Sequence, residues 1–170
     1  MAEINPDVTV LCFEESGGAL HPDGDYSGRD LSGMDLSGAN LCGANFSNAK
    51  LCNACLKGAR LTGAIFENAD LTGADIELAI LGGANLVRAK LIRANLKRAN
   101  LVGVRADHAD FTEADLYYSR PGNGCFVQAV FQNASLERAI FRRANLRNAD
   151  MRGIQGQANF ENAILEGVKR

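Results

Sequence analysis

The sequence contains no tryptophan, only three prolines and only two histidines among 170 residues. Aromatic side chains make up 6% of the chain, so we do not expect a bulky globular core. The 18 lysines and arginines nearly balance the 20 aspartates and glutamates, and the formal net charge is −2. A charge so close to zero provides no general attraction to nucleic acid or to an anionic membrane.

Long apolar runs are also missing, and none approaches the roughly 18 residues of a membrane-spanning helix. The segment 1–10 has neither a basic stretch nor a continuous apolar stretch, so we expect no signal peptide. The five cysteines are an odd number, which without an export signal favours reduced thiols. We therefore predict a cytoplasmic protein that does not contact a membrane.

A large apolar residue recurs every five residues from 31 to 151, at 23 of 25 positions. Two residues before it, 20 of the 23 positions between 39 and 149 are alanine. A helix repeats at about 3.6 residues and a flat strand at 2, so neither explains this period. Residues two apart on an extended chain point to one side. We therefore predict that each pentapeptide is one side of a coil, with both apolar residues inside.

The charged residues predict how many sides form one coil. Stacked coils bring equivalent outward residues to about 4.8 Å from each other. At steps of twenty, the residues before the large apolar ones alternate in sign: Asp30, Lys50, Asp70, Lys90 and Asp110. A fifteen-residue coil would bring like charges together, which destabilises a sheet. We therefore predict square coils, in which Arg93 lies against Glu113 and Arg98 against Tyr118.

Units such as Ala39-Asn40-Leu41-Cys42-Gly43 follow the pattern Ala, Asn or Asp, Leu, any residue, Gly. This pattern resembles the pentapeptide-repeat family over about residues 26–168. The resemblance implies an all-β fold, a right-handed quadrilateral parallel β-helix (solenoid) of about 6–7 coils. Such proteins are abundant in cyanobacteria, so the resemblance also suggests a bacterial, cyanobacterial source.

Two regions flank or interrupt the repeat. Residues 1–25 lie outside it, and we predict that they cap the first coil, either as a short helix beginning at Asn5-Pro6 or as a strand over 8–13. The β-helix then covers 26–170. Because proline lacks a backbone N–H, we expect a distorted coil or a bulging loop at 119–125.

The frame shifts by one residue after Met151, which predicts an irregular corner at 152–157. The last coil then has no evident cap. An uncapped coil leaves unpaired backbone groups at a sheet edge. A homodimer formed through the C-terminal coil is therefore one expectation.

The sequence shows no constellation that points to catalysis. Cys52 and Cys55 have the spacing of metal ligands, but no second pair accompanies them, so we expect free surface thiols instead of a zinc site. Two histidines and scattered serines provide no catalytic triad, and no glycine-rich loop leads into a helix. We predict a protein that is not an enzyme, with no catalytic, metal or cofactor-binding residues and no cofactor.

Tyr117, Tyr118 and Arg120 precede Pro121, and Arg98 lies one predicted coil away from Tyr118. Exposed tyrosines beside arginine are typical of protein interfaces, although packing of the tyrosines on Arg98 is an equal alternative. Basic residues are dense in 78–106 and 138–152, but the coil distributes them over several sides beside acidic or aromatic neighbours. We therefore predict a scaffold that binds an unidentified protein partner, and we do not expect it to bind nucleic acid.

The family resemblance supplies an alternative function. Some members imitate duplex DNA and protect gyrase from quinolones. Such mimicry needs a strongly acidic rod, whereas this chain is nearly neutral. A gyrase supercoiling assay with micromolar protein separates the two hypotheses, and salt-dependent retention on DNA tests nucleic-acid binding.

Overall fold

Residues 20–170 wind into stacked coils in which every fifth residue from Asp25, except Arg120, forms a parallel backbone bridge to the residue one coil later. The structure is a computed structural model, and residues 20–170 are the ones it describes. The first bridge joins Asp25 to Asn45, and the twenty-residue register holds to Gln155. Within 20–170 no helix forms, and each side contributes one bridge residue instead of a longer strand. A turn every five residues leaves no room for longer strands.

Four columns of bridge residues define four faces of the rod. Face 1 begins at Asp25, face 2 at Asp30, face 3 at Asp35 and face 4 at Asn40, and each continues in steps of twenty. The Asp30 carboxylate lies 3.7 Å from the Lys50 ammonium on face 2. The vertical stacking that the charges predict is therefore present.

The alanines and the large apolar residues of the repeat fill the interior. Rings one coil apart stack along the rod, as in Phe46 and Phe66, whose centroids are 5.0 Å apart. Phe111 and Phe131 stack in the same way at 4.8 Å. Phe126, one coil beyond the small residue Ala106, contacts the Phe111 ring at 6.0 Å. All of these side chains are fully buried, so the interior is a packed core without a channel.

Each corner is a four-residue turn that closes on the next alanine, as where the Ala44 N–H donates to the Leu41 carbonyl at 3.2 Å. The third residue of the turn has a positive φ, which is 70° at Gly43 and 59° at Asn48. A positive φ at this place is typical of a type II turn and favours glycine or asparagine. This requirement explains why Gly and Asn recur there.

The first coil includes the end of the range predicted as a cap. The Asp23 N–H donates to the Cys42 carbonyl at 2.9 Å, and Leu20 is buried. The rest of that range, 1–19, lies outside the described residues, and so do the alternatives of a helix or a strand there.

At Pro121 the chain makes an ordinary corner where we expected a distorted coil or a bulging loop. The Gly124 N–H donates to the Pro121 carbonyl at 3.3 Å, and the bridge residues on both sides keep their register. Within residues 20–170, the irregularity is a single missing ladder bond: no backbone N–H donates to the Ile140 carbonyl, because proline has no hydrogen to donate, and Arg120 and Ile140 do not form a bridge. The turn closes through the Pro121 carbonyl and does not use the missing hydrogen, so it survives.

The register changes after Gln155 from twenty residues to nineteen. Ile140 pairs with Asn159, Asn145 with Ile164, and Asp150 with Lys169. One side of the last coil is therefore a residue short, and Gly156 forms its corner with a φ of 81°.

Ser119 occupies a position where the repeat has alanine, and its hydroxyl is fully buried without a hydrogen-bond partner. We expect Ser119→Ala to raise the free energy of unfolding by about 1 kcal/mol, because it removes an unsatisfied polar group from the core. The reverse change one coil further, Ala139→Ser, should lower the free energy of unfolding by a similar amount. Urea unfolding measures both changes. A loss of stability in Ser119→Ala would contradict the conclusion that the unpaired Ser119 hydroxyl destabilises the fold.

Asp150 is buried beside two donors near the C-terminal end. The Arg152 guanidinium donates to both carboxylate oxygens, at 2.9 and 2.6 Å, and the Gln132 amide donates at 2.9 Å. These bonds, that from Arg152 first, hold the pKa of Asp150 well below its ordinary value of 3.8.

The lowered pKa of Asp150 predicts that the stability of the fold decreases as the pH falls into the acidic range. A carboxylate with a depressed folded-state pKa stabilises the fold above its unfolded-state pKa, and this contribution is lost as the pH falls further. We expect the wild type to lose more stability than Asp150→Asn when the pH drops from 5 to below about 3.8. Thermal unfolding across this range measures the difference, and parallel profiles would refute the role of Asp150.

Candidate functional site

The exposed apolar side chains concentrate on one side of the rod. Among residues 20–170, the exposed large apolar residues are Leu78, Ile80, Val102, Tyr118, Ile140 and Ile164. All except Ile164 lie on face 4 or on the corners that flank it. We call this region the face 4 surface; it comprises the face 4 bridge residues from 80 to 140, the preceding corner (117–118 and its equivalents) and the following corner (122–123 and its equivalents).

The preceding corner carries large side chains at the position that requires a positive φ. Leu78, Arg98, Tyr118 and Arg138 form one column there, with φ values of 61°, 57°, 56° and 61°. The following corner has glycine at the same position in three successive coils, from 63 to 103. A non-glycine residue in this conformation costs about 1–2 kcal/mol. Arg88, His108 and Gln128 at the diagonally opposite corner carry the same cost, so the conformation belongs to the corner and does not by itself mark the face 4 surface.

Tyr118 packs on Arg138 in the next coil, whereas packing on Arg98 was one of the two alternatives that the sequence left open. The Arg138 guanidinium carbon lies 5.2 Å from the centre of the Tyr118 ring, and the guanidinium also donates to the tyrosine hydroxyl. This bond contributes most to raising the pKa of Arg138. Tyr117 meets the Tyr118 ring edge to face at 4.9 Å. The tyrosine pair is thus held in place, while Tyr118 remains 41% exposed.

Two hollows lie side by side on the face 4 surface, and they share Arg120 and Ile140. The larger, of about 690 Å³, is lined by Leu78, Arg98, Asn100, Tyr117, Tyr118, Arg120, Arg138 and Ile140. The smaller, of about 230 Å³, is lined by Val102, Arg120, Gly122, Asn123, Ile140, Arg142 and Arg143. The larger hollow brings together all four residues that we predicted from the sequence, Tyr117, Tyr118, Arg120 and Arg98. The sequence did not single out its apolar members.

Every charged side chain that lines the two hollows is an arginine. Arg138 and Arg142 have carboxylates nearby, at 3.7 Å from Glu137 and 3.3 Å from Glu161. Arg98, Arg120 and Arg143 form no ion pair with any residue in 20–170. The face 4 surface therefore combines apolar side chains with arginines, three of which have no carboxylate within 4.0 Å in residues 20–170.

Elsewhere the predicted neutralisation of basic residues holds for Lys90 and Lys97 and fails for Arg93. Lys90 lies 3.9 Å from Asp70, and Lys97 lies 3.2 Å from Asp115. The predicted pair of Arg93 with Glu113 does not form an ion pair. These residues share a corner column, with positive φ values of 57° and 58°.

The cysteines are free thiols wherever the structure describes them. Burial raises the pKa of the Cys52 thiol, and burial with donation to the Asp107 carboxylate at 2.8 Å raises that of Cys125. A raised pKa keeps a thiol protonated and weakly nucleophilic. Within 20–170 no three side chains of His, Cys, Asp or Glu are grouped so that they could hold a metal ion.

Over the same part of the chain, no helix has the length and hydropathy to cross a membrane.

The family model for pentapeptide repeats matches eight copies, at residues 27–58, 53–86, 79–116 and 125–155. The chain belongs to the pentapeptide-repeat family. The resemblance seen in the sequence is thereby confirmed, and no catalytic family is indicated.

Solved pentapeptide-repeat proteins share the fold. HetL, which is involved in heterocyst differentiation regulation in the cyanobacterium Nostoc sp. strain PCC 7120, is 24% identical, with a TM-score of 0.64 over 88% of this chain and 86% of that one. A thylakoid-lumen protein of Arabidopsis thaliana is 31% identical over 71% and 70%, with a TM-score of 0.45. Full-length QnrB1, a plasmid-mediated fluoroquinolone resistance protein, is 21% identical over 88% and 91%, with a TM-score of 0.46.

The family match and the likeness to HetL imply a right-handed β-helix for this pentapeptide-repeat chain. No curated protein matches the sequence.

Proposed function

We propose that this protein is a non-catalytic scaffold that binds a protein partner through the face 4 surface. The observation that carries the proposal is the confinement of the exposed apolar side chains, with one exception, to that surface. Apolar residues scattered singly need no explanation, but a contiguous exposed group marks an interaction site. The combination of Tyr117, Tyr118 and several arginines is also the composition in which interface hot spots are enriched.

The β-helix suits such a role because its backbone fixes the surface. Its coils, stacked at about 4.8 Å from each other, make a square rod with four faces. The backbone that carries each column of side chains is held by ladder bonds to the coils above and below. Little conformational entropy is then lost on binding, which favours affinity. We place this scaffold in a reducing cytoplasm, and the free thiols of the four described cysteines, from Cys42 to Cys125, support that location.

We do not extend the DNA-mimic hypothesis to this chain. On face 2 the acidic residues alternate with lysines, as in Asp30 with Lys50 and Asp70 with Lys90. A mimic of duplex DNA needs continuous negative charge, which this alternation interrupts.

Affinity capture from the native host tests the proposal. We expect wild-type protein to retain a specific partner that a double variant, Tyr117→Ala with Tyr118→Ala, loses. The matched control is Val127→Ala with Gln128→Ala, which changes the same two turn positions at the diagonally opposite corner. Equal capture by the two double variants, or no partner for the wild type, would overturn the proposal.

We further propose that two copies of the chain associate through the C-terminal coil. Phe160 and Leu165 are only half-buried there and line an open hollow of about 420 Å³. Joining two such ends would cover apolar side chains and pair open edges. Light scattering at high concentration should give the mass of a dimer, and Phe160→Glu should give a monomer. A monomeric wild type would refute this association.

A further inference from the structure

We infer that the face 4 surface binds an extended acidic segment of its partner, with an apolar side chain of that segment seated in the larger hollow. This inference rests on the proposed function and names the chemistry of the partner. It assigns carboxylate binding to Arg98, Arg120 and Arg143, and apolar contact to Leu78 and Ile140.

Charge complementarity points to an acidic ligand. Arg98 lies on the larger hollow, Arg143 on the smaller, and Arg120 on both. None of these three has a carboxylate within 4.0 Å in residues 20–170. A guanidinium presents a planar set of donors that suits bidentate binding of carboxylate.

The two hollows follow each other across the rod, since Arg120 and Ile140 line both. They extend from the corner before face 4 to the corner after it. One side of a coil has five residues, and an extended chain of that length spans at most about 17 Å. A partner segment of five or six extended residues that crosses face 4 would therefore reach all three arginines.

The smaller hollow depends on Gly122, which has no side chain where the neighbouring coils have Val102 and Arg142. A Cβ placed at Gly122 would lie 3.3 Å from the Arg142 carbonyl oxygen and 3.6 Å from that of Ile140. The Ile140 carbonyl is also the one that Pro121 leaves without a backbone donor. An unpaired carbonyl beside a hollow offers an acceptor to the N–H of an extended peptide.

The apolar side chains favour a peptide over nucleic acid. Ile80 is 42% exposed and Leu78 is 47% exposed, and both lie among the arginines. Nucleic-acid interfaces are more polar and more positively charged than protein interfaces. Phosphates would gain nothing from Leu78 or Ile140, whereas an aliphatic or aromatic residue of a peptide would bury them.

A random 12-residue peptide display library, selected against the immobilised full chain, tests the inference. We expect the selected peptides to be rich in Asp and Glu around an aliphatic or aromatic residue. Fluorescence anisotropy of synthetic copies should show binding weakened about tenfold by Arg98→Gln and by Arg120→Gln. Arg88→Gln is the matched control and should bind normally, because Arg88 has the same turn position and a φ of 56° at the opposite corner.

Several results would overturn the inference. The first is that the selected peptides carry no net negative charge. The second is that Arg98→Gln binds the peptides as well as the wild type does. The third is that a 12-nucleotide DNA binds more tightly than the peptides and that the same arginine variants abolish this DNA binding. Thermal unfolding of each variant verifies that it folds. If host capture finds a partner that depends on Tyr117 and Tyr118 while the selected peptides are not acidic, the proposed function stands and this inference fails.

Discussion

Replacing Phe131 by alanine is expected to lower the free energy of unfolding by about 3–5 kcal/mol. The Phe131 ring is fully buried, stacks on Phe111 at 4.8 Å and meets the edges of Phe126 and Phe141 at 5.8 and 5.7 Å. Ladder bonds on both sides of the coil prevent the backbone from collapsing into the space left behind. The cavity therefore persists, and denaturant unfolding should show its full cost.

The matched control for this prediction is Phe160→Ala in the last coil. Phe160 is only half-buried and stacks on one ring, that of Phe141 at 5.4 Å. We expect Phe160→Ala to lower the free energy of unfolding by less than half as much as Phe131→Ala does. Equal losses for the two variants would contradict a core in which the central coils are packed from both sides.

Tyr118→Gly is expected to separate stability from binding. Glycine adopts the φ of 56° at this position without the cost that tyrosine incurs. That gain offsets the loss of the contacts with Tyr117 and Arg138, so stability should stay constant or rise by up to about 1 kcal/mol. Capture of the partner should fall by about 30-fold or more, as for an interface hot spot.

Gln128→Gly controls for the backbone effect, because Gln128 has a φ of 58° at the opposite corner. It should change stability in the same direction and leave partner binding intact. Thermal unfolding and quantitative capture measure the two effects. Unchanged binding in Tyr118→Gly would remove Tyr118 from the interface, and a loss of several kcal/mol would show that it is a structural residue.

The sequence could predict the coil because its period is explicit. Each inward position repeats as alanine or as a large apolar residue, and only a corner every five residues explains that spacing. The alternation of Asp30, Lys50 and Asp70 then selected twenty residues per coil. The consequence of Pro121 was harder to predict, because a proline that removes one hydrogen bond and a proline that breaks a coil look the same in sequence.

The candidate site was only half visible in the sequence. Tyr117, Tyr118, Arg120 and Arg98 were predicted, and the structure brings them around one hollow. Leu78, Ile80, Val102 and Ile140 were missed, although a signal existed: they are large apolar residues at outward positions that share one side when read in steps of twenty.

The columns predicted some side-chain pairs, such as Lys90 with Asp70, but not others. A column identifies two neighbours for Tyr118, one above and one below, but not which one it contacts; the structure shows Arg138. Lys97 pairs with Asp115, eighteen residues later, because its side chain leans across the corner to the adjacent face. Long side chains reach several partners, and local packing decides between them.

A photo-crosslinking scan around one coil tests most directly that the face 4 surface is the partner site. A photoreactive amino acid is placed in turn at Asn100 on face 4, Arg105 on face 1, Asp110 on face 2 and Asp115 on face 3. We expect that in the native host only the Asn100 derivative crosslinks strongly to a protein partner. A partner crosslinked equally from all four faces, or from another face and not from Asn100, would contradict it.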